Sequence, residues 1–181
     1  MDGRKALHSA VRKHAGDAAL VQRCQVHKRR NVIDHLPEEH QNTFGTKLNK
    51  AYAMFKYDDA KRALDKIHHE LMHLNPSAAR SLEEGMAETL TMHQLGIPVK
   101  LRKTLSSTNV IESAFSVVET VCRNVKRWRG GDHVERWVGS GLLVAESKFR
   151  RVKGYQEIPQ LMDAMVNFVS TKGLAKWRGL S

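Results

Sequence analysis

The chain has 181 residues, enough for one domain with a helical appendage, and its 41% hydrophobic fraction can fill a core. Lys and Arg number 30 against 19 Asp and Glu, a formal net charge of +11, which predicts attraction to a polyanion: nucleic acid first, an anionic membrane surface as the alternative. No apolar run is long enough to span a bilayer, the opening MDGRKALHSAV lacks the apolar stretch of a signal peptide, and two cysteines, Cys24 and Cys122, make no disulfide framework, so a reducing cytoplasm is the expected setting.

Helix signals dominate in chain order. Asp2 and Gly3 start a pattern with Ala6, Leu7, Ala10 and Val11 on one face, closed by His14 and Gly16. Residues 18–26, AALVQRCQV, alternate imperfectly at Leu20, Gln22, Cys24 and Val26 and are expected to form a short strand. A basic helix, HKRRNVIDHL, ends at Pro37. Residues 38–55 and 58–74 read as two further helices, and Pro76 opens a longer one over 77–95, stopped by Gly96 and Pro98. A basic loop, VKLRKTLSS, leads into a helix carrying Glu112, which the RGG at 129–131 breaks. Asp132 is expected to cap the next helix, running to about Arg151, and Pro159 begins a last amphipathic one. One strand cannot make a sheet, so the expected class is mostly α, with any sheet partners for that strand lying elsewhere.

Three groups of residues invite chemistry. His69, Glu70 and His73 in HHELMH match H-E-x-x-H. Two imidazoles at i and i+4 share a helix face and could hold Zn²⁺ while Glu70 deprotonates its water, with Glu88 as a third ligand. The alternative is a histidine-rich solvated face. Lys66 and Asn75 also sit where such peptidases place uncharged or apolar residues. Cys24 and His27 have a spacing that suits a shared metal, but a structural zinc needs four ligands and no second pair is evident, so core packing of a small thiol is the competing account.

Glu112 follows Asn109 by three residues. That is a capping-box spacing, in which Asn109 accepts from a free amide and Glu112 reaches back, and a carboxylate in the first turn also suits the helix dipole. The helix would carry an apolar face of Ile111, Ala114, Val118, Val121, Val125 and Trp128. Its other face would hold Glu112, Ser116, Glu119, Arg123, Lys126 and Arg127. One carboxylate followed by a basic stripe suits an active site beside a nucleic-acid backbone, and equally a solvated helix.

Five stretches, in order, resemble the C-terminal part of bacterial Mutator-type insertion-sequence transposases: DGRKAL (2–7), VQRCQVHKRRNVIDHLP (21–37), LRKTLSSTNVIES (101–113), VKRWRGGDHVERW (125–137) and FRRVKGYQEIPQL (149–161). The resemblance implies a partial RNase H-like catalytic core (last strand and helices) with an all-helical insertion. The implied parts are a core fragment at 1–36, the insertion at 37–104, and the catalytic-glutamate helix with C-terminal helices at 105–181. It implies DDE chemistry, in which two aspartates and a glutamate hold two Mg²⁺ (or Mn²⁺) ions that activate the nucleophile and stabilise the leaving oxygen of a phosphodiester.

Carried over, Asp2 is the second aspartate and Glu112 the glutamate, both catalytic and metal-binding, while Cys24, His27 and Asn109 fall on family motif positions. No residue here matches the first aspartate, so the resemblance implies a truncated chain inactive alone. Asp17, Asp34 and Glu119 lie in no strand-end context that would let them replace it. The implied partner is double-stranded DNA, the terminal inverted repeats of an insertion element, with self-association and a bacterial, nucleoid-associated location. The DNA-contacting candidates are Arg29 and Arg30 beside Lys28, the group Arg123, Lys126, Arg127 and Arg129, and the group Lys148, Arg150 and Arg151. The alternative is a non-catalytic basic helical protein that binds DNA or regulates the transposase, and the third reading is the zinc peptidase.

Overall fold

The computed structural model describes residues 5–16 and 19–171. Over these the chain is mostly helical, in the order α1 (Lys5–Ala15), α2 (Gln25–Ile33), α3 (Glu38–Ala53), α4 (Tyr57–Leu74), α5 (Pro76–Glu83), α6 (Met86–Thr89), α7 (Thr91–Gln94), α8 (Val99–Leu105), α9 (Asn109–Cys122), α10 (Gly130–Glu146) and α11 (Ile158–Thr171), with a 3₁₀ turn at Tyr155–Glu157. It divides into two compact units, one of Met1–Ser107 with Lys153–Ser181 and one of Thr108–Val152. No helix among the described residues is long and apolar enough to cross a membrane.

The first unit is built on α2 to α5. Helix α4 buries Ala60, Leu64, Ile67 and Leu71, one stripe at helical spacing, against Phe44, Leu48, Ala51 and Tyr52 of α3. Val32 and Leu36 close the core from one side and Ala78, Ala79 and Leu82 of α5 from another. Local chemistry sets the ends. Glu38 and Glu39 sit in the first turn of α3, where the helix dipole favours them. The Asn75 side chain accepts from the amides of Ser77 and Ala78, with Pro76 at the first helical position. The Asn75 amide also donates to the carbonyl of His35 (2.7 Å), tying the start of α5 to the end of α2.

The expected strand at 18–26 is not a strand. Residues 19–24 have no regular secondary structure, residues 25 and 26 open α2, and side chains take the place of a ladder. Gln22 donates to Thr89 O (2.9 Å) and accepts from Met92 N (2.9 Å), and the Thr91 hydroxyl donates to Val21 O (2.7 Å). The amides of Arg23 and Gln25 donate to Glu88 O and Ser106 O. Of the expected alternation at Leu20, Gln22, Cys24 and Val26 only Cys24 is buried; Val21, three residues before it, is the other inward side chain, and Gln22 satisfies a neighbouring backbone.

Two further expectations change. The helix expected over 77–95 is three, because Gly85 adopts φ +68 and ends the run. The expected loop at 99–107 contains α8, which buries Leu101 and Arg102.

The second unit is a hairpin of α9 and α10. Val118, Gly141 and Ala145 are its buried residues. A Cβ on Gly141 would stand 3.0 Å from Val118 Cα, so the missing side chain lets the two backbones approach. The expected apolar face of α9 is only partly used: Ile111 is 59% exposed and Trp128 45%. The helix also stops at Cys122, not near 128, and α10 ends at Glu146, short of Arg151.

Candidate functional site

Asp2 lies outside the described residues. Glu112 stands exposed in the first turn of α9 and accepts a hydrogen bond from the Thr108 hydroxyl. Asn109 is the first residue of the helix and exposed, while Thr108 holds the cap position. The expected capping box is not the arrangement seen: Thr108 makes no side-chain cap hydrogen bond, and its hydroxyl engages the Glu112 carboxylate across one helical turn.

Cys24 is buried at the N-cap of α2, and its carbonyl accepts from the Lys28 amide (3.0 Å). His27, half-buried, follows one turn on. This pair belongs to the first unit and Glu112 to the second. Among the described residues no group of three His, Cys, Asp or Glu side chains is placed to hold a metal ion. Glu112 with its threonine partner does not by itself fit a two-metal centre, and no reaction step is derived through one.

The peptidase constellation does not assemble as expected. His69 and His73 lie edge to face with ring centroids 4.8 Å apart, but Glu70 is paired with Lys47 of α3. Glu88, the expected third ligand, is held by Arg23 Nε at 2.6 Å.

The basic groups divide by accessibility. Lys28 is buried, so it does not belong to a DNA-contacting face: its amine donates to Ser81 O and Glu84 O, both at 2.6 Å. Burial lowers its pKa below the usual lysine value, the nearby Glu84 carboxylate working the other way. Arg29 is half-buried and passes beside Gly45 of α3, whereas Arg30 is exposed. In the second unit Arg123, Lys126, Arg127 and Arg129 are all exposed. They occupy the connection between α9 and α10 and not a helical stripe as expected. Beside them the rings of Trp128, His133 and Trp137 follow one another, the first pair tilted and the second edge to face, with centroids 5.8 and 6.4 Å apart. Trp137 Nε1 donates to His133 Nε2 at 3.0 Å. Trp128 is 45% exposed and Trp137 38%.

Residue-by-residue reading missed the polar group that fastens the first unit: Arg23 to Glu84 and Glu88, and Arg102 to the carbonyl of Phe55. Their partners lie 47 to 65 positions away, beyond any local pattern.

The described residues thus form a mostly helical, strongly cationic chain with an exposed basic connection between α9 and α10. The family model described as Transposase, Mutator family, matches residues 1–150, and the chain belongs to that family. It is 31% identical over 97 residues to the transposase for insertion sequence element IST2 of Acidithiobacillus ferrooxidans, covering 54% of this chain and 32% of the relative. It is 33% identical over 111 residues to the transposase for insertion sequence element ISRM5 of Rhizobium meliloti, covering 61% and 27%. To the transposase for insertion sequence element IS256 in transposon Tn4001 of Staphylococcus aureus it is 26% identical over 147 residues, covering 78% and 36%. The chain thus spans about a third of the length of these curated relatives. No solved structure matches it.

Proposed function

We propose that this chain is a DNA-contacting part of an insertion-element transposase, serving DNA binding and transposition by metal-dependent phosphodiester cleavage and strand transfer. The observation that carries the reading is the family match over residues 1–150, which includes Asp2, Glu112 and the whole cationic connection between α9 and α10. In this reading Asp2 and Glu112 are two of the three carboxylates of an RNase H-like DDE centre that takes Mg²⁺ or Mn²⁺. Two ions need flanking and bridging carboxylates on a rigid scaffold, so a further carboxylate is required before any strand is cut. The proposed division follows the family pattern: a core part at 1–36, a helical insertion at 37–104, and the glutamate helix with its successors at 105–181. Self-association belongs to the same reading, since Ile111, Phe115 and Leu143 of the hairpin are exposed.

A second reading, a non-catalytic DNA-binding protein that regulates the transposase, draws on the Thr108–Glu112 hydrogen bond, which gives Glu112 a structural task without metal. Both readings require DNA contact by the α9–α10 connection. The test is titration of a labelled duplex with the full chain and with a variant carrying Arg123→Ala, Lys126→Ala, Arg127→Ala and Arg129→Ala. The variant is expected to bind at least roughly tenfold more weakly at low salt, since each lost cation is a lost phosphate contact. Equal affinities would remove the proposal. Incubation with Mg²⁺ or Mn²⁺ separates the two readings: nicking by the chain joined to the rest of a family transposase, and lost in Glu112→Gln, marks the catalytic one.

A further inference from the structure

An open groove of about 590 Å³ lies where α3 gives way to α4. One wall is the connection at 54–56. The other is a stripe of α4 on which Asp59, Arg62, Ala63 and Lys66 follow one another at i, i+3, i+4 and i+7. Phe55 is 65% exposed there.

That exposure is not slack. The Phe55 carbonyl accepts from Arg102 Nη1 at 2.9 Å, and Arg102 is itself buried in α8 with its guanidinium 5.8 Å from the centre of the Phe55 ring. A buried cation thus anchors the backbone of the residue that displays the ring. One turn earlier His93 Nε2 bonds the Tyr52 carbonyl at 3.1 Å, so the end of α3 is held twice. A phenyl ring held in place and left facing solvent is a ready-made stacking platform.

The charges around it have one sign. Arg62 pairs with Asp59, which neutralises the groove's one carboxylate. Lys56 and Lys66 are exposed and form no ion pair with a described residue. A flat apolar face flanked by two available ammonium groups suits a ligand that is flat and apolar on one side and anionic on the other. An unstacked nucleotide has that chemistry. A duplex hides its base faces in the stack, and a purely apolar peptide leaves the lysines unanswered. The volume is in the range of sites that take small organic ligands, roughly 300–1,000 Å³.

We propose that this groove binds an unpaired nucleotide of single-stranded DNA, the base against Phe55 and the flanking phosphates against Lys56 and Lys66. The proposal rests on the nucleic-acid reading above for the class of ligand, but uses a different surface. It separates two tasks: duplex contact by the α9–α10 connection and capture of an unpaired base by the α3–α4 junction.

The experiment titrates the full chain with a labelled oligothymidylate of about 15 nucleotides, within the range of single-strand site sizes, and with a duplex of the same length. Phe55→Ala is expected to weaken single-strand binding about five- to hundredfold, the range for losing one stacked base, and to leave duplex binding within twofold. The ring is exposed, so the variant should keep the wild-type melting temperature. Phe55→Trp is expected to keep single-strand affinity and to add emission that oligothymidylate quenches beyond the wild-type change. Lys56→Gln with Lys66→Gln is expected to reduce the single-strand salt slope by about 1.4, two phosphate contacts' worth.

Wild-type single-strand affinity in Phe55→Ala, an equal loss on single strand and duplex, or no added quenching in Phe55→Trp would overturn the site. So would loss of self-association in Phe55→Ala with DNA binding intact, which would make the groove an interface between copies. Phe55-dependent single-strand binding without any duplex binding would remove the preceding proposal and leave this one standing. Duplex binding that depends on the α9–α10 cations, with single-strand binding indifferent to Phe55, would do the reverse.

Discussion

The amine of Lys28 sits at the end of α5 and donates to the carbonyls of Ser81 and Glu84, which the helix itself leaves unsatisfied. Lys28→Ala would leave both without that donor, and loss of charge-assisted bonds of this kind costs about 2–3 kcal/mol. Urea unfolding should show a lower midpoint in this variant, with duplex binding little changed. Arg30→Ala, at an exposed position, should leave the midpoint where it is. His93 makes a second prediction. Burial, with the Arg102 charge adding to it, lowers its pKa below the usual 6.5, and its Nδ1 has no hydrogen-bond partner. Below pH 6.5 the unfolded chain takes up a proton that the folded chain refuses, so the stability His93 contributes is present above 6.5 and lost as pH falls toward the lowered value. Melting temperature should therefore drop between about pH 7 and pH 5, and the drop should be shallower in His93→Gln. A slope unchanged by the substitution would locate the proton uptake elsewhere.

Gly141 governs how closely α9 and α10 approach, because a Cβ there meets the Val118 backbone at 3.0 Å. Gly141→Leu should destabilise the hairpin: overpacking costs about 1–3 kcal/mol, against a gain of about 1 kcal/mol from replacing glycine inside a helix. Circular dichroism melting of the variant should show early loss of part of the helical signal, and an unchanged or raised melting temperature would mean that the hairpin is looser than described. Helices α3 and α4 were legible in the sequence, since acidic first turns, Pro37 and the 60, 64, 67, 71 stripe all act within a few residues. Residues 19–24 were not, because a short mix of apolar and polar residues reads locally as a strand whether its backbone meets a ladder or side chains. What distinguishes the two, Gln22 meeting Thr89 and Met92, is about 70 positions away in sequence. Gly85 was visible as a glycine, but that Arg23 lies over it and leaves no room for a Cβ is something only the packing reveals. At the candidate site, spacing singled out Glu112, Cys24 and His27, while the catalytic and motif roles expected of them came from family resemblance. The Phe55 groove had no local signature, because a lone phenylalanine between two helices reads as core.

At the scale of the whole molecule the governing feature is charge. A formal charge of +11 is spread over cations with different tasks: Lys28 and Arg102 fasten the fold from within, while Arg123, Lys126, Arg127 and Arg129 stand in solvent on one short connection. Only the second kind can release counterions from DNA, so the salt dependence of binding counts them directly. The measurement that tests this account most directly is the dependence of duplex affinity on salt, for the wild-type chain and for the variant with the four connection cations replaced by alanine. The account predicts a steep fall of affinity with salt in the wild type and a slope shallower by about 3 to 4 in the variant, close to 0.9 for each phosphate contact removed. Binding that ignores salt, no duplex binding at low salt, or the same slope in both proteins would contradict it.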